Sequence, residues 1–413
     1  MNAITDVQFR DRLRRNINRT LAFGFFQVFL VIMPVVVPFF ESRGLSMQQI
    51  FLLQALFAVV VLVMEIPSGY AADMLGRRLT MVVGGIFLGL GHSMLLFADG
   101  FAEFALFELG LGIGVSLVSG ADLAILYDSE QALGNDSGRR QELVGRLFTM
   151  HTASEALAGV LCSVLLVWSL QDAVYVQAAV GWIPLLIALS LVEPPGERMD
   201  PANHMANMRE IFEHLMKSGP VLRLTFLALS IWSLTTFYAV WLLQKLWQQQ
   251  GVELSQFGYL WAIYMLVSAG AGRLALKAED RFGATALLAF VGVLPAIGYV
   301  GLALFGAVGG FVAALTFFVA RGLGLVILRD AFNKRLPGRF RATANSLASF
   351  GFRGAFAVTG PFVGWTLDLW GMDVTLALLA AVSLVIFATL LLPLTLAVRT
   401  AATAVVEPAV GGG

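Results

Sequence analysis

Six charged side chains interrupt stretches of this sequence that are otherwise apolar: Glu65, Glu108, Asp122 and Glu155 in the first half, Arg321 and Arg353 in the second. A charge in hydrocarbon costs several kcal/mol unless it is paired or reached by water, so each is a candidate for function. A carboxylate in such a setting can take up and release a proton. His151 precedes Glu155 by one helical turn, close enough to share that proton. Glu155 is therefore the first choice for a proton-coupling acid and Glu108 the second. Glu108, Gly112, Val115, Ser119 and Asp122 recur at helical spacing along one stripe. Arg321 and Arg353 offer the opposite charge, either to a substrate or to Glu108 and Glu155 as interhelical pairs. Glu65 lies nearer the end of its apolar stretch and reads as structural.

The elements that must hold these groups follow from composition. Of 413 residues, 58% are hydrophobic and 13% charged, with a mean hydropathy of +0.81. A soluble domain has roughly 45–50% apolar and 25% charged residues, so this chain reads as an integral membrane protein. Crossing about 30 Å of hydrocarbon takes about 20 apolar residues. Twelve windows qualify, near 20–40, 48–72, 79–98, 103–127, 147–168, 174–192, 221–243, 256–276, 284–305, 310–330, 342–366 and 374–397. Strand-type alternation is missing, and Gly and Pro inside the windows are tolerated in membrane helices, so all twelve are predicted to be helical. The first window is expected to be retained rather than cleaved as a signal peptide. At a rise of about 1.5 Å per residue, Glu155 and Arg353 both fall near the bilayer centre.

Charge outside the windows sets orientation. With both termini in the cytoplasm, 23 of the 27 Lys and Arg fall on cytoplasmic segments, Arg321 and Arg353 lie within the windows, and only Arg43 and Lys245 fall outside. The longest hydrophilic interruption, 193–219, divides the chain into an N-terminal six-helix bundle (1–192) and a C-terminal one (220–400), with a flexible tail at 401–413. Met205, Met208, Phe212 and Leu215 in that linker predict a short amphipathic helix on the membrane interface.

The halves also look like copies. At an offset of 207 residues, 44–76 matches 251–283 with eight identities in 33 positions, including Gly44/Gly251, Asp73/Asp280 and Gly76/Gly283. A duplicated six-helix unit places a substrate site between the copies near mid-membrane. Phe26 and Gln27 in the first window, with Tyr238 and Trp241 in the seventh, are candidate cavity-lining residues for an organic molecule. Trp168, Trp247 and Trp370 read as interfacial belts.

The run Gly69-x-x-x-Asp73-x-x-Gly76-Arg77-Arg78 between the second and third windows resembles the signature of the major facilitator superfamily. The resemblance extends over nearly the whole chain. It implies an all-α fold of twelve transmembrane helices in two pseudo-symmetric bundles, with helices 1, 4, 7 and 10 lining the cavity. It also implies that Gly69, Asp73, Gly76, Arg77 and Arg78, with Asp280 and Gly283 of the second copy, form a conformational latch. From the residues themselves, Gly69 removes a side chain where helix 2 packs on a neighbour, Gly76 permits a tight turn, and Asp73 offers a carboxylate to helix-end amides or to Arg77. The segment from Ser119 through Asp122 and Tyr127 to Ser129 is similar to one in a drug-efflux-like bacterial subset.

Other chemistries lack their residues. The four histidines show no metal-binding spacing, no phosphate-binding loop is present, and no Ser/His/Asp arrangement emerges, so no enzyme, metal site or cofactor is expected. The expected function is a secondary carrier working by alternating access, exporting a small organic compound against protons. The alternatives are proton-coupled import and, in another class, a transport-inactive sensor or assembly partner. Expected partners are a small-molecule substrate, protons and the lipid bilayer, with no nucleic acid, and the protein is expected to be a monomer. Arg outnumbers Lys 23 to 4, a bias that points to a GC-rich bacterium and its inner membrane.

Overall fold

A computed structural model describes residues 3–134, 137–195, 204–217, 219–337 and 340–406. Contacts divide the chain into two units, the first comprising Met1–Pro201 with Glu253–Ile263 and the second Ala202–Val252 with Tyr264–Gly413. The first contains α1 (Ala3–Gln27), α2 (Val36–Ser42), α3 (Met47–Leu75), α4 (Arg77–Met94), α5 (Phe101–Val118), α6 (Ala121–Ala132), α7 (Ser137–Leu165), α8 (Leu170–Val180) and α9 (Ile183–Ser190). The second is built from α10 (His204–Lys217), α11 (Pro220–Leu227), α12 (Ser233–Phe237), α13 (Ala239–Gln249), α14 (Leu254–Phe282), α15 (Ala284–Leu304), α16 (Ala307–Lys334), α17 (Arg341–Ile386) and α18 (Leu392–Val406). The opening turns of α14 count with the first unit.

Among the described residues, nine helical segments are long and apolar enough to cross a membrane. One of them, Thr343–Thr400, runs through two expected spans that turn at Gly371, where φ is 81° and ψ 179°. Two further spans fall short for local reasons. The third is α4, which opens on Arg77 and Arg78. The first is not one helix. Together these account for the twelve predicted crossings, with the helical fold as expected.

The first span is broken between α1 and α2, where Pro34 removes a donor and a short 3-10 turn (Met33–Val35) follows. In hydrocarbon the released backbone groups need partners. Buried Ser154 of α7 donates to the Phe25 carbonyl at 2.5 Å, and buried Gln177 of α8 accepts from the Ile32 amide at 3.4 Å. The fourth span breaks at Ser119 and Gly120, where Gly120 adopts φ of 87°, a conformation that L side chains rarely take. The seventh span carries a π turn, Ala228–Trp232. Close packing at the crossing of α7 and the first turns of α14 needs glycine on both sides: a Cβ at Gly258 would meet the Gly159 carbonyl, and Ser163 Oγ accepts from the Tyr259 amide at 2.9 Å.

Three expected features have these places in the structure. The amphipathic segment is helical: α10 docks through Ile211 and Leu215 on the core of the second unit and leaves Phe212 47% exposed. The side chains of Met205 and Met208 lie outside the described residues. Trp168 and Trp370 are exposed as belts would be, whereas Trp247 is buried and stacks on Tyr264 at 6.0 Å. The expected flexible tail is helical through Val406, and 407–413 lie outside the described residues.

Removing the hydroxyl that answers the broken helix leaves the Phe25 carbonyl buried without that donor. Ser154→Ala is expected to destabilise the protein by about 1–3 kcal/mol. Heat-induced unfolding in detergent micelles measures this as a lowered midpoint, and an unchanged midpoint would mean that the carbonyl finds another donor.

Candidate functional site

The four carboxylates of the first unit have different surroundings. Glu108 on α5 is 3% exposed, and its Oε1 accepts from Gln54 Nε2 of α3 at 2.5 Å. Its hydrogen-bond partner is a neutral amide, and among the described residues it forms no ion pair. Asp122 is 8% exposed and sits in the first turn of α6, where Oδ1 accepts from the Leu123 amide at 2.7 Å. That carboxylate caps the half-helix that begins after Gly120. The stripe expected from Glu108 to Asp122 is therefore interrupted: the two acids lie on separate helices, and Asp122 answers backbone amides. Glu65 is half-buried on α3, and its carbonyl accepts from Ser68 Oγ at 3.1 Å.

Helix α7 brings His151 and Ser154 against the place where α1 ends. His151 lies over Gly24, where a Cβ would stand 2.9 Å from Nε2. Ser154 binds the next carbonyl, and Glu155 is half-buried one turn beyond His151. Phe25, Phe26 and Phe29 cluster at this break with centroids 5.1 to 6.0 Å apart; Phe26 and Gln27 are half-buried there.

In the second unit Arg321 on α16 and Arg353 on α17 are half-buried. Tyr238 and Trp241, expected to line a cavity, are buried within the unit. Tyr238 stacks on Phe356 at 5.9 Å and shares a 2.5 Å hydrogen bond with Thr359 Oγ1. Among the described residues, no group of three or more His, Cys, Asp or Glu could hold a metal ion.

The run between α3 and α4 is held by residues that sequence reasoning missed. Gly76 turns the chain at φ of 91°, and the two α4 amides that follow, Arg77 and Arg78, donate to the Glu193 carboxylate at 2.9 and 2.7 Å. Arg77 pairs with Asp128 at the end of α6, and Arg78 donates to the Leu189 carbonyl at 3.1 Å. Buried Asn16 of α1 ties in Ser129 at 3.3 Å and both backbone groups of Val192 at 2.7 and 3.0 Å. Asp73 was expected to serve the helix-end amides or Arg77, and its side chain lies outside the described residues; among the described residues Glu193 accepts from those amides. Gly69 was expected to admit a neighbouring helix, yet a Cβ there would meet nothing within 4 Å. Gly283 repeats the turn of Gly76 with φ of 82°, one residue before α15, and Asp280 precedes it on α14. Glu193 is the first acid after the sixth span, and no spacing rule links it to residues 77 and 78. On the opposite end of the unit, Arg43 pairs with Asp99 and reaches Gln171 Oε1 at 3.3 Å.

Without Glu193, two helix-end amides would lose their carboxylate. Glu193→Ala is expected to cost about 0.5–2 kcal/mol, as for other lost helix caps. The same change should speed amide hydrogen exchange at 77–80 while leaving α5 unaffected; equal protection in both proteins would show that the cap contributes nothing.

Comparison with known proteins places this geometry. The family model described as Major Facilitator Superfamily matches residues 19–334. A search of curated proteins finds no match. Among solved structures, a point mutant of the nucleoside transporter NupG is similar at a TM-score of 0.77 with 13% identity, covering 93% of this chain and 99% of that one. A bacterial homolog of the human lysosomal transporter Spinster, inward-facing and unoccupied, gives 0.74 with 17% identity over 94% and 97%. A D-xylose-proton symporter gives 0.71 with 15% identity over 94% and 99%. At these identities the structures share the fold alone. The family match covers most of the chain, and on that ground this multi-pass membrane protein belongs to the major facilitator superfamily, a family of transporters rather than enzymes.

Proposed function

We propose that this protein is a secondary active transporter that works by alternating access and exports a small organic compound in exchange for protons. The observation that supports it most directly is Glu108, a buried membrane carboxylate whose hydrogen-bond partner is the neutral amide of Gln54. A carboxylate without a permanent countercharge gains or loses much when its surroundings change from dry to wet, which is what coupling a proton to a conformational cycle requires. Glu155, half-buried with His151 one turn away, is the group that would exchange that proton with the transport path. The cytoplasmic residues Arg77, Arg78, Asp128 and Glu193 serve as the latch that stiffens one end of the first unit. We place the protein in the inner membrane of a bacterium, as a monomer with both termini in the cytoplasm. The run from Ser119 to Ser129 supports membership in the drug-efflux-like subset. Import is the second reading: one protein of the same fold is a D-xylose-proton symporter, so the fold does not choose direction.

Proteoliposomes with an imposed pH gradient test the coupling. Glu108→Gln and Glu155→Gln are each expected to reduce gradient-driven flux by at least about tenfold, with exchange of labelled for unlabelled substrate retained. Normal gradient-driven flux in both variants would remove proton coupling from these acids. Direction is read from growth of an efflux-deficient strain expressing the protein: protection from toxic compounds that disappears with the proton gradient supports export. Substrate binding with no flux under any gradient would instead favour a transport-inactive sensor.

A further inference from the structure

Helix α16 carries two arginines, Arg321 and Arg329, eight residues apart with Leu325 between them. At 100° per residue these three positions form one stripe, each about 40° from the last. The remaining faces of the helix are occupied. Ala320, Leu323 and Ile327 are buried in the core of the second unit, nearly opposite the stripe. On one flank a Cβ at Gly322 would collide with the Ser268 carbonyl of α14. On the other flank, a Cβ at Gly324 would stand 2.5 Å from the ring of Trp232. Arg321 and Leu325 are half-buried and Arg329 is exposed, so between residues 321 and 329 the stripe is open, bordered by buried Leu328 and ending at buried Phe332.

Among the described residues neither arginine makes a hydrogen bond or an ion pair. The nearby acid on the same helix is already engaged: Asp330 pairs with Lys334 at 2.6 Å, and Glu279 of α14 lies beside that pair. Two guanidiniums that repel one another along a membrane helix cannot face hydrocarbon, so the stripe must be reached by water. They stand about 12 Å apart along the helix axis. Guanidinium is the side chain whose planar fork matches an oxyanion with two parallel hydrogen bonds.

We infer that the Arg321–Arg329 stripe of α16 binds the oxyanion of the transported compound, which makes the substrate an organic anion bearing a carboxylate, phosphate or sulfonate group. Arg321 holds the anion at depth, and Arg329, nearer the C-terminal end of the helix, receives or releases it. The inference rests on the carrier reading for the word "transported"; the anion site itself does not.

The test uses the purified full-length chain and four probes of similar size: benzoate, phenyl phosphate, benzyl alcohol and benzylammonium. Binding is measured as protection from thermal unfolding at fixed ionic strength, and flux in proteoliposomes under a pH gradient is measured separately. Benzoate or phenyl phosphate should protect, and the difference between those two names the oxyanion. Protection should weaken at least about tenfold in apparent affinity in Arg321→Gln and as salt is raised. Arg321→Lys, which retains the charge, should keep part of the effect and guards against a variant that simply folds poorly. Arg329→Gln should weaken binding less. Equal protection by the alcohol or the ammonium, anion binding unaltered in Arg321→Gln, or no binding by any probe would each overturn the inference. So would protection by phosphatidylglycerol in nanodiscs without any by the soluble anions, because the oxyanion would then be a lipid headgroup. Anion binding as expected with no gradient-driven flux would leave the site standing and refute the carrier reading.

Discussion

Inside hydrocarbon no water is at hand to complete a hydrogen bond, and the breaks in the first and fourth spans of this protein are shaped by that shortage. The break in the first span releases backbone groups that Ser154 and Gln177 take up from two other helices. Where the fourth span breaks at Gly120, the new helix start brings its own acceptor, Asp122, in its first turn. At an exposed end of the unit, the α4 N-terminus likewise borrows Glu193 from a segment more than a hundred residues away. Breaks thus come with dedicated polar partners, and those partners are not free for other chemistry.

The same constraint sorts the charges. Asp122, Glu193, Asp128 with Arg77, Arg43 with Asp99 and Asp330 with Lys334 have their electrostatics answered by the protein itself. Among the described residues, Glu108 is answered by an amide and the Arg321–Arg329 stripe by no hydrogen bond or ion pair, so both are left with an unbalanced charge. Replacing an unbalanced carboxylate charge by a proton, or an unbalanced arginine charge by an anion, lowers the energy of the site. A carrier needs groups of this kind, because a fully satisfied pair would hold its partner through the whole cycle.

Duplication explains what the halves share and where they part. Gly44 and Gly251 have φ of 82° and 71°, Gly76 and Gly283 have 91° and 82°, and the helices between each pair, α3 and α14, are both 29 residues long. Backbone geometry has been retained because a turn with positive φ tolerates little but glycine. Side-chain chemistry has diverged. The positions matching Arg77 and Arg78 are Ala284 and Thr285, so the cluster built on Glu193 and Asp128 has no counterpart with those charges in the second copy.

Helix content, the approximate limits of the twelve crossings, the repeat and the buried acids Glu108 and Asp122 were legible in the residue order, since apolar length and positive-φ glycines act locally; buried Glu130 was not. Pro34 and Gly120 even marked two of the breaks by residue type, although a membrane helix tolerates either residue often enough that neither announced one. What residue order could not supply was partnership. That Glu193 serves the α4 amides, that Trp247 is buried, and that Gln54 meets Glu108 all depend on helices distant in sequence being packed side by side. Hydrophobic periodicity encodes which face of a helix turns inward, but a hydrogen bond is decided by distances of a few tenths of an ångström between particular atoms, and only the packed chain sets those.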